Sequence, residues 1–234
     1  MNLKEYSTGV RTGLPVGLGY FSVSFGFGAM AVSKGLSVGD ATLISASNLT
    51  SAGQFAGLGV IVDNSGLWLM ILTQLIINSR YALMSLALSQ RMGQQIGLIP
   101  RLCVAFINTD EVFALAMARE QKLTVPFLYG LGLLPILGWV SGTLFGALAG
   151  SILPQSIRTA LGVMLYGMFI AIVIPPAKKE RPVAVTALLA LVFSSLFTWV
   201  PALAKAPTGT PIVICTVAAA ALCAWLFPIK EEAQ

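Results

Sequence analysis

A chain of 234 residues that is 56% hydrophobic and only 10% charged, with a mean hydropathy of +0.86, carries more apolar surface than a soluble domain of this size buries. The net charge of +5 comes from 14 Lys and Arg residues scattered singly or in threes at the ends of apolar stretches, with no basic stripe for nucleic acid. With no histidine anywhere, a proton relay inside the chain has to depend on carboxylates. The composition is that of an all-α integral membrane protein.

A helix of about 20 residues spans roughly 30 Å of hydrocarbon, and a window of that length picks out eight segments. They lie near 13–33, 41–62, 67–88, 103–119, 124–150, 158–176, 183–203 and 208–228. Before the first, Lys4, Glu5 and Arg11 precede no short apolar core with a cleavage site, so the first helix is expected to stay and direct its own insertion. In the second, Gln54 stands between Gly53 and Gly57, which suits either a local break or close helix packing, while Asp40 and Asp63 mark the edges. In the third, Gln74, Asn78 and Tyr81 follow i, i+4, i+7 spacing and share a face, suited to a polar cavity or to interhelical hydrogen bonds. Arg80 lies well inside the same helix, where it can meet a substrate, pair with an acid as a strut, or snorkel.

The fourth segment is short and carries Asn108, Thr109, Asp110 and Glu111 near its start, so it reads as re-entrant or non-crossing. Seven transmembrane helices follow, with eight as the alternative if 103–119 crosses. In the fifth segment Gly138, Gly142, Gly146 and Gly150 make a smooth stripe for another backbone, and Pro135 offers a kink. Pro175 and Pro176 are expected to end the sixth segment before Lys178-Lys179-Glu180-Arg181, and Pro207 to Pro211 punctuates the start of the last. Cys103, Cys215 and Cys223 lie in apolar stretches without metal-site spacing and read as buried thiols.

Internal similarity suggests a repeat within a single membrane domain, 1–234. Leu18-Gly19-Tyr20-Phe21-Ser22 resembles Leu137-Gly138-Trp139-Val140-Ser141, and Gly53-Gln54-Phe55 lies opposite Gly167-Met168-Phe169. The implied halves are 13–102 and 124–203, with 103–123 linking them and 208–228 as a final helix. With the N-terminus outside and 103–119 not crossing, Lys34, Arg91, Arg101, Arg119, Lys122, Lys178, Lys179, Arg181 and Lys230 fall inside, against Lys4, Arg11, Arg158 and Lys205 outside. Eight full spans with the N-terminus inside give a nearly equal bias. The first arrangement makes the repeat inverted.

One ordered set of residues is more specific. Gly13-Leu14-Pro15, Phe25-Gly26, Gly35-Leu36-Ser37, Gln54-Phe55-Ala56, Asn78-Ser79-Arg80-Tyr81-Ala82-Leu83-Met84 and Thr109-Asp110-Glu111 resemble the AzlC family of branched-chain amino-acid exporters over about residues 10–120. Leu49-Thr50-Ser51-Ala52-Gly53 and Ser79 depart from the family pattern and bear on substrate identity, because small residues beside a site set its volume. The resemblance implies a secondary-carrier permease of the bacterial inner membrane that acts with a small hydrophobic AzlD-type subunit. Its substrate would be a branched-chain or related amino acid, with H+ as one candidate coupling ion. No Walker A sequence or other nucleotide-cradling loop is present.

A zwitterion needs a cation or backbone amides for its carboxylate and an acceptor for its ammonium. The candidate site residues are therefore Gln54, Gln74, Asn78, Arg80, Tyr81, Thr109, Asp110 and Glu111, with no metal, cofactor or catalytic group expected. An intramembrane enzyme is disfavoured because no Ser/Lys or paired-Asp constellation stands out. The remaining alternative is a membrane scaffold or accessory subunit whose charges are struts.

Overall fold

A computed structural model of the chain describes residues 2–92, 96–150, 156, 170, 173–207 and 209–228, and these are helical with short connections. The helices are α1 (Leu3–Ser33), α2 (Val38–Ser47), α3 (Ser51–Val62), α4 (Leu67–Met92), α5 (Leu98–Phe106), α6 (Asp110–Ala118), α7 (Val125–Gly150), α8 (Arg181–Trp199) and α9 (Gly209–Leu226). Of these, α1, α4, α7, α8 and α9 are long and apolar enough to cross a bilayer. The expected spans 41–62 and 103–119 are each broken into two short helices. The expected span 158–176 lies almost entirely outside the described residues. Beyond it, residues 173–179 are helical through Pro175 and Pro176, which therefore do not end the segment. A proline lacks its own N–H but still accepts, and the Glu180 N–H donates to the Pro176 carbonyl at 2.9 Å.

Local chemistry sets the ends of these helices. The Asn2 side chain caps α1 by accepting from the Lys4 and Glu5 N–H groups. At its other end Gly35 adopts φ +98°, a left-handed conformation that only glycine takes up cheaply, and the Leu36 N–H reaches back to the Ala31 carbonyl. Ser37 then caps α2, accepting from the Asp40 N–H at 3.0 Å while its hydroxyl donates to the Asp40 carboxylate.

The chain forms two compact units. The first comprises Met1–Phe55 and Asn78–Leu165, the second Ala56–Ile77 and Tyr166–Gln234. The spine of the first unit is α1 against α7. Small residues on both let the backbones touch: a Cβ on Gly17 would meet the backbone of Leu134 at 2.7 Å, and one on Gly28 the Ala147 nitrogen at 2.7 Å. Further along, a Cβ on Gly150 would meet the Ala29 Cα at 2.9 Å, and glycines 138, 142 and 146 abut Gly17, Phe21 and Phe25. The glycine stripe of 124–150 is thus a packing surface, as its spacing predicted, and its partner is the first helix.

These contacts climb both helices in the same direction, so α1 and α7 run parallel. That corrects the inverted relation expected between 13–33 and 124–150, which requires them to run antiparallel. Short resemblances between glycine-rich apolar helices report shared packing chemistry, and they carry no information on direction. The second matched stretch, Gly167-Met168-Phe169, lies outside the described residues.

The fourth segment doubles back. Arg101 near the start of α5 hydrogen-bonds the Ser89 hydroxyl, and Asn108 at the tip donates to Ser85 at 3.1 Å. On α6, Asp110 pairs with Arg80, while the Met117 and Arg119 carbonyls each accept from Arg91 at 2.6 Å. Both ends of the α5–α6 hairpin therefore lie at the Ser89–Arg91 end of α4, and its tip lies further back along that helix. Arg119 also pairs with Glu5 at 2.8 Å, which fixes that end of α4 beside the beginning of α1. Since Glu111 lies against Tyr20, α4 from Arg80 to Arg91 runs antiparallel to α1. The hairpin is held by a core of Leu88, Met92, Val104, Val112, Ala116, Leu123, Phe127, Leu128 and Leu131.

In the second unit α8 packs against α9, and the Cys223 thiol donates to the Pro182 carbonyl at 3.4 Å. Gly209 fits against Leu69 and Thr73, where a Cβ would come within 2.8 Å of the Leu69 Cγ. Cys215 and Cys223 are buried as expected, but Cys103 is exposed, because the apolar residues of the short helix α5 that carries it face outward on one side.

Candidate functional site

Two chain breaks build the site. The first is Asn48-Leu49-Thr50 between α2 and α3, where Asn48 is extended at φ −148° and ψ 114°. The Thr50 N–H donates to the Asn48 Oδ1 at 3.3 Å, and the Thr50 hydroxyl caps α3 by accepting from the Gly53 N–H. A break deep in an apolar segment leaves carbonyls that water cannot satisfy. Gln54, only 2% exposed, answers this: its Nε2 donates to the Asn48 carbonyl and, at 3.4 Å, to that of Ile44. Its Oε1 accepts from Ser45 at 3.1 Å, and the Ser45 hydroxyl lies 2.7 Å from that of Thr143 on α7. The break expected around Gly53 and Gly57 thus falls three residues earlier. Gln54 sits inside α3 as the group that repairs it.

The second break is Ile107-Asn108-Thr109 between α5 and α6. Thr109 caps α6 by accepting from the Val112 N–H at 3.4 Å, and its hydroxyl is 2.7 Å from that of Tyr20. The same tyrosine donates to the Glu111 carboxylate. Asp110 in the first turn of α6 pairs with Arg80 at 2.8 Å, an acid placed at the positive end of a helix as well as beside a cation. The Arg80 guanidinium also lies 5.1 Å from the Tyr81 ring centroid and reaches the Tyr81 hydroxyl at 3.4 Å.

Between the two tips is a cavity of about 240 Å3. It is lined by Ser47, Asn48, Leu49 and Thr50 from one tip, by Ala105, Phe106, Asn108 and Thr109 from the other, and by Asn78 and Tyr81 of α4. Hydroxyls and amides alternate there with three apolar side chains. The Asn108 Oδ1 is buried and has no hydrogen-bond partner among the described residues. This volume lies below the roughly 300–1,000 Å3 typical of sites for drug-sized ligands and suits a smaller molecule.

Of the residues singled out in sequence, Asn78, Tyr81 and Thr109 line the cavity. Arg80 and Asp110 form a pair behind Tyr81, and Glu111 is engaged by Tyr20. Gln54 is structural at the first break. Gln74 belongs to the second unit, where its side chain lies by Met70 and Gly57 and does not line this cavity. Sequence reasoning missed Tyr20, Asn48, Thr50 and Ser85. A usable signal was present at both breaks, an Asn and a Thr within three residues in the middle of an apolar stretch, because these side chains substitute for missing backbone partners.

The fold and site define a multi-pass, all-helical membrane protein with a polar cavity where two broken segments meet. The sequence profile of the AzlC protein family matches residues 15–153, more than half the chain and the stretch that holds both breaks. The chain belongs to the AzlC family. It is 30% identical over 191 residues to the inner membrane protein YgaZ of Escherichia coli strain K12, covering 79% of this chain and 78% of that one. It is likewise 30% identical over 178 residues to an uncharacterized membrane protein of Archaeoglobus fulgidus, covering 75% and 78%. An uncharacterized membrane protein of Helicobacter pylori strain 26695 is 27% identical over 152 residues, covering 64% and 66%. No solved structure matches the chain.

Proposed function

We propose that this protein is the large permease subunit of a secondary exporter that moves branched-chain or related hydrophobic amino acids out of the cell. It sits in a bacterial inner membrane and acts with a small AzlD-type membrane subunit. The observation that carries the reading is the cavity between the two tips, whose lining mixes the polar Asn78, Asn108 and Thr109 with the apolar Leu49, Ala105 and Phe106. A zwitterion with a short aliphatic side chain matches that mixed lining. Broken helices whose ends meet at a cavity are a recurrent way of holding such a substrate within a membrane. The family resemblance supports export and the small partner.

Arg80 and Asp110 hold the tip of α5–α6 against α4, and Arg80 orients Tyr81 at the cavity wall. Asp110 and Glu111 are the carboxylates within reach of this region and are our candidates for proton coupling. The segment 98–118 is re-entrant: it enters and leaves on one face, so its tip and not a full span reaches the cavity.

The test is efflux of preloaded radiolabelled valine or leucine from cells that express this chain alone, with its small partner, and with Asn78→Ala in the paired form. Partner-dependent efflux that Asn78→Ala reduces at normal expression supports the carrier. No efflux of any hydrophobic amino acid would return the chain to a scaffold role.

A further inference from the structure

We propose that α2–α3 is a second re-entrant hairpin, entering from the membrane face opposite to α5–α6, so that α1–α2–α3 and α4–α5–α6 form an inverted pair whose two tips gate one cavity from its two sides. Four observations converge on this. The first is the fold-back itself. In a continuous helix Gln54 would stand about 15 Å from Ser45 and Ile44, yet it hydrogen-bonds both. Phe55 packs on Phe27 with ring centroids 5.3 Å apart, near the height where Ser45 meets Thr143, so α3 starts back along the way α2 came.

The second is parity. Because α1 and α7 run parallel and α4 runs antiparallel to both, a chain whose α5–α6 segment returns to its own face closes correctly only if α2–α3 also returns to the face it left. The third is register. The end of α1 at 33, the end of α2 at 47 and the start of α3 at 51 recur as the end of α4 at 92, the end of α5 at 106 and the start of α6 at 110, a shift of 59 each time. The caps obey the same shift: Thr50 accepts from the Gly53 N–H, and Thr109 from the Val112 N–H.

The fourth is charge. With both segments re-entrant, Lys4, Arg11, Arg91, Arg101, Arg119 and Lys122 lie towards one face and only Lys34 towards the other among the segment-end cations of residues 1–150. Loop Lys and Arg favour the cytoplasm, so the N-terminus and the base of α5–α6 are cytoplasmic, and the loops at Lys34 and Asp63 are external. This replaces the N-terminus-outside arrangement that the loop charges favour when 103–119 alone is taken as non-crossing. The α2–α3 tip then closes the cavity towards the outside and the α5–α6 tip towards the cytoplasm.

The test is labelling of single cysteines by a membrane-impermeant maleimide in intact cells, in a chain whose Cys103, Cys215 and Cys223 are replaced by alanine. Lys34→Cys and Asp63→Cys should both label from outside. Gly97→Cys and Lys122→Cys should label only after permeabilisation; all four native positions are exposed. Labelling of only one member of either pair from outside would overturn the proposal, because that segment would then cross. If the cysteine-free chain fails to accumulate, short epitope insertions after Asp63 and after Gln121 in the unaltered chain read the same faces. An epitope at 63 inaccessible in intact cells, or one at 121 accessible, would overturn it equally.

Discussion

The Arg80–Asp110 pair offers a test in which direction and magnitude can both be worked from the structure. The two side chains meet at 2.8 Å, Arg80 inside α4 and Asp110 in the first turn of α6, and are nearly half exposed at 45% and 41%. Removing one partner strands the other. A lone charge at the centre of a membrane helix costs about 2.5–3.5 kcal/mol, and the partial exposure lowers this, so Arg80→Gln and Asp110→Asn should each destabilise by about 1.5–3 kcal/mol. The double substitution removes both charges and should cost less than the two single effects summed, with a coupling energy of about 1.5–3 kcal/mol. For a chain of this size each kcal/mol moves the thermal midpoint by about 2–4 °C, so each single variant should melt about 3–12 °C lower, with the double variant near the milder single. Thermal unfolding in detergent, followed by the loss of the monodisperse species, measures all four corners of the cycle. A double variant that loses the full sum of the single effects would refute the pairing.

Gln54→Leu keeps the volume roughly constant but removes the amide that satisfies the Asn48 and Ile44 carbonyls and the Ser45 hydroxyl. It should destabilise by about 1–3 kcal/mol, and thermal unfolding checks it. Gly142→Ala would drive a Cβ into the Phe21 backbone and the Ser24 hydroxyl, separating α1 from α7, whereas a Cβ on Gly19 meets nothing within 4 Å. The first should cost about 1–3 kcal/mol. The second, Gly19→Ala, should be neutral or slightly stabilising, and yields of folded protein compare the two directly.

Sequence exposed the class and much of the site because both rest on transfer energetics. Apolar windows located every described long helix, and polar residues in the middle of those windows drew attention to Asn78, Tyr81 and Thr109. What it could not convey was direction. A window of 22 apolar residues at 41–62 reads the same whether the chain runs through the bilayer or folds back at Asn48. Tertiary contacts such as the pairing of Gln54 with Ser45, nine positions away, separate the two. The role of Gln54 was obscured for a related reason: the flanking Gly53 and Gly57 are permissive, while Asn48 and Thr50 do the turning. Tyr20 escaped notice because a tyrosine amid aromatic residues in an apolar helix resembles packing, and its hydroxyl partners lie about 90 residues away, at Thr109 and Glu111.

The central claim is that substrate occupies the cavity between the two tips, and its side-chain preference tests this most directly. Leu49 is 8% exposed and contributes apolar wall to that cavity. We would reconstitute the chain with its small partner, measure valine counterflow, and titrate unlabelled valine, leucine and phenylalanine as competitors in the unaltered protein and in Leu49→Ala. The enlarged cavity should shift the competition towards phenylalanine by roughly tenfold or more, the scale of a few methylenes in an apolar pocket. Active counterflow with an unchanged order of competitors would place the substrate elsewhere.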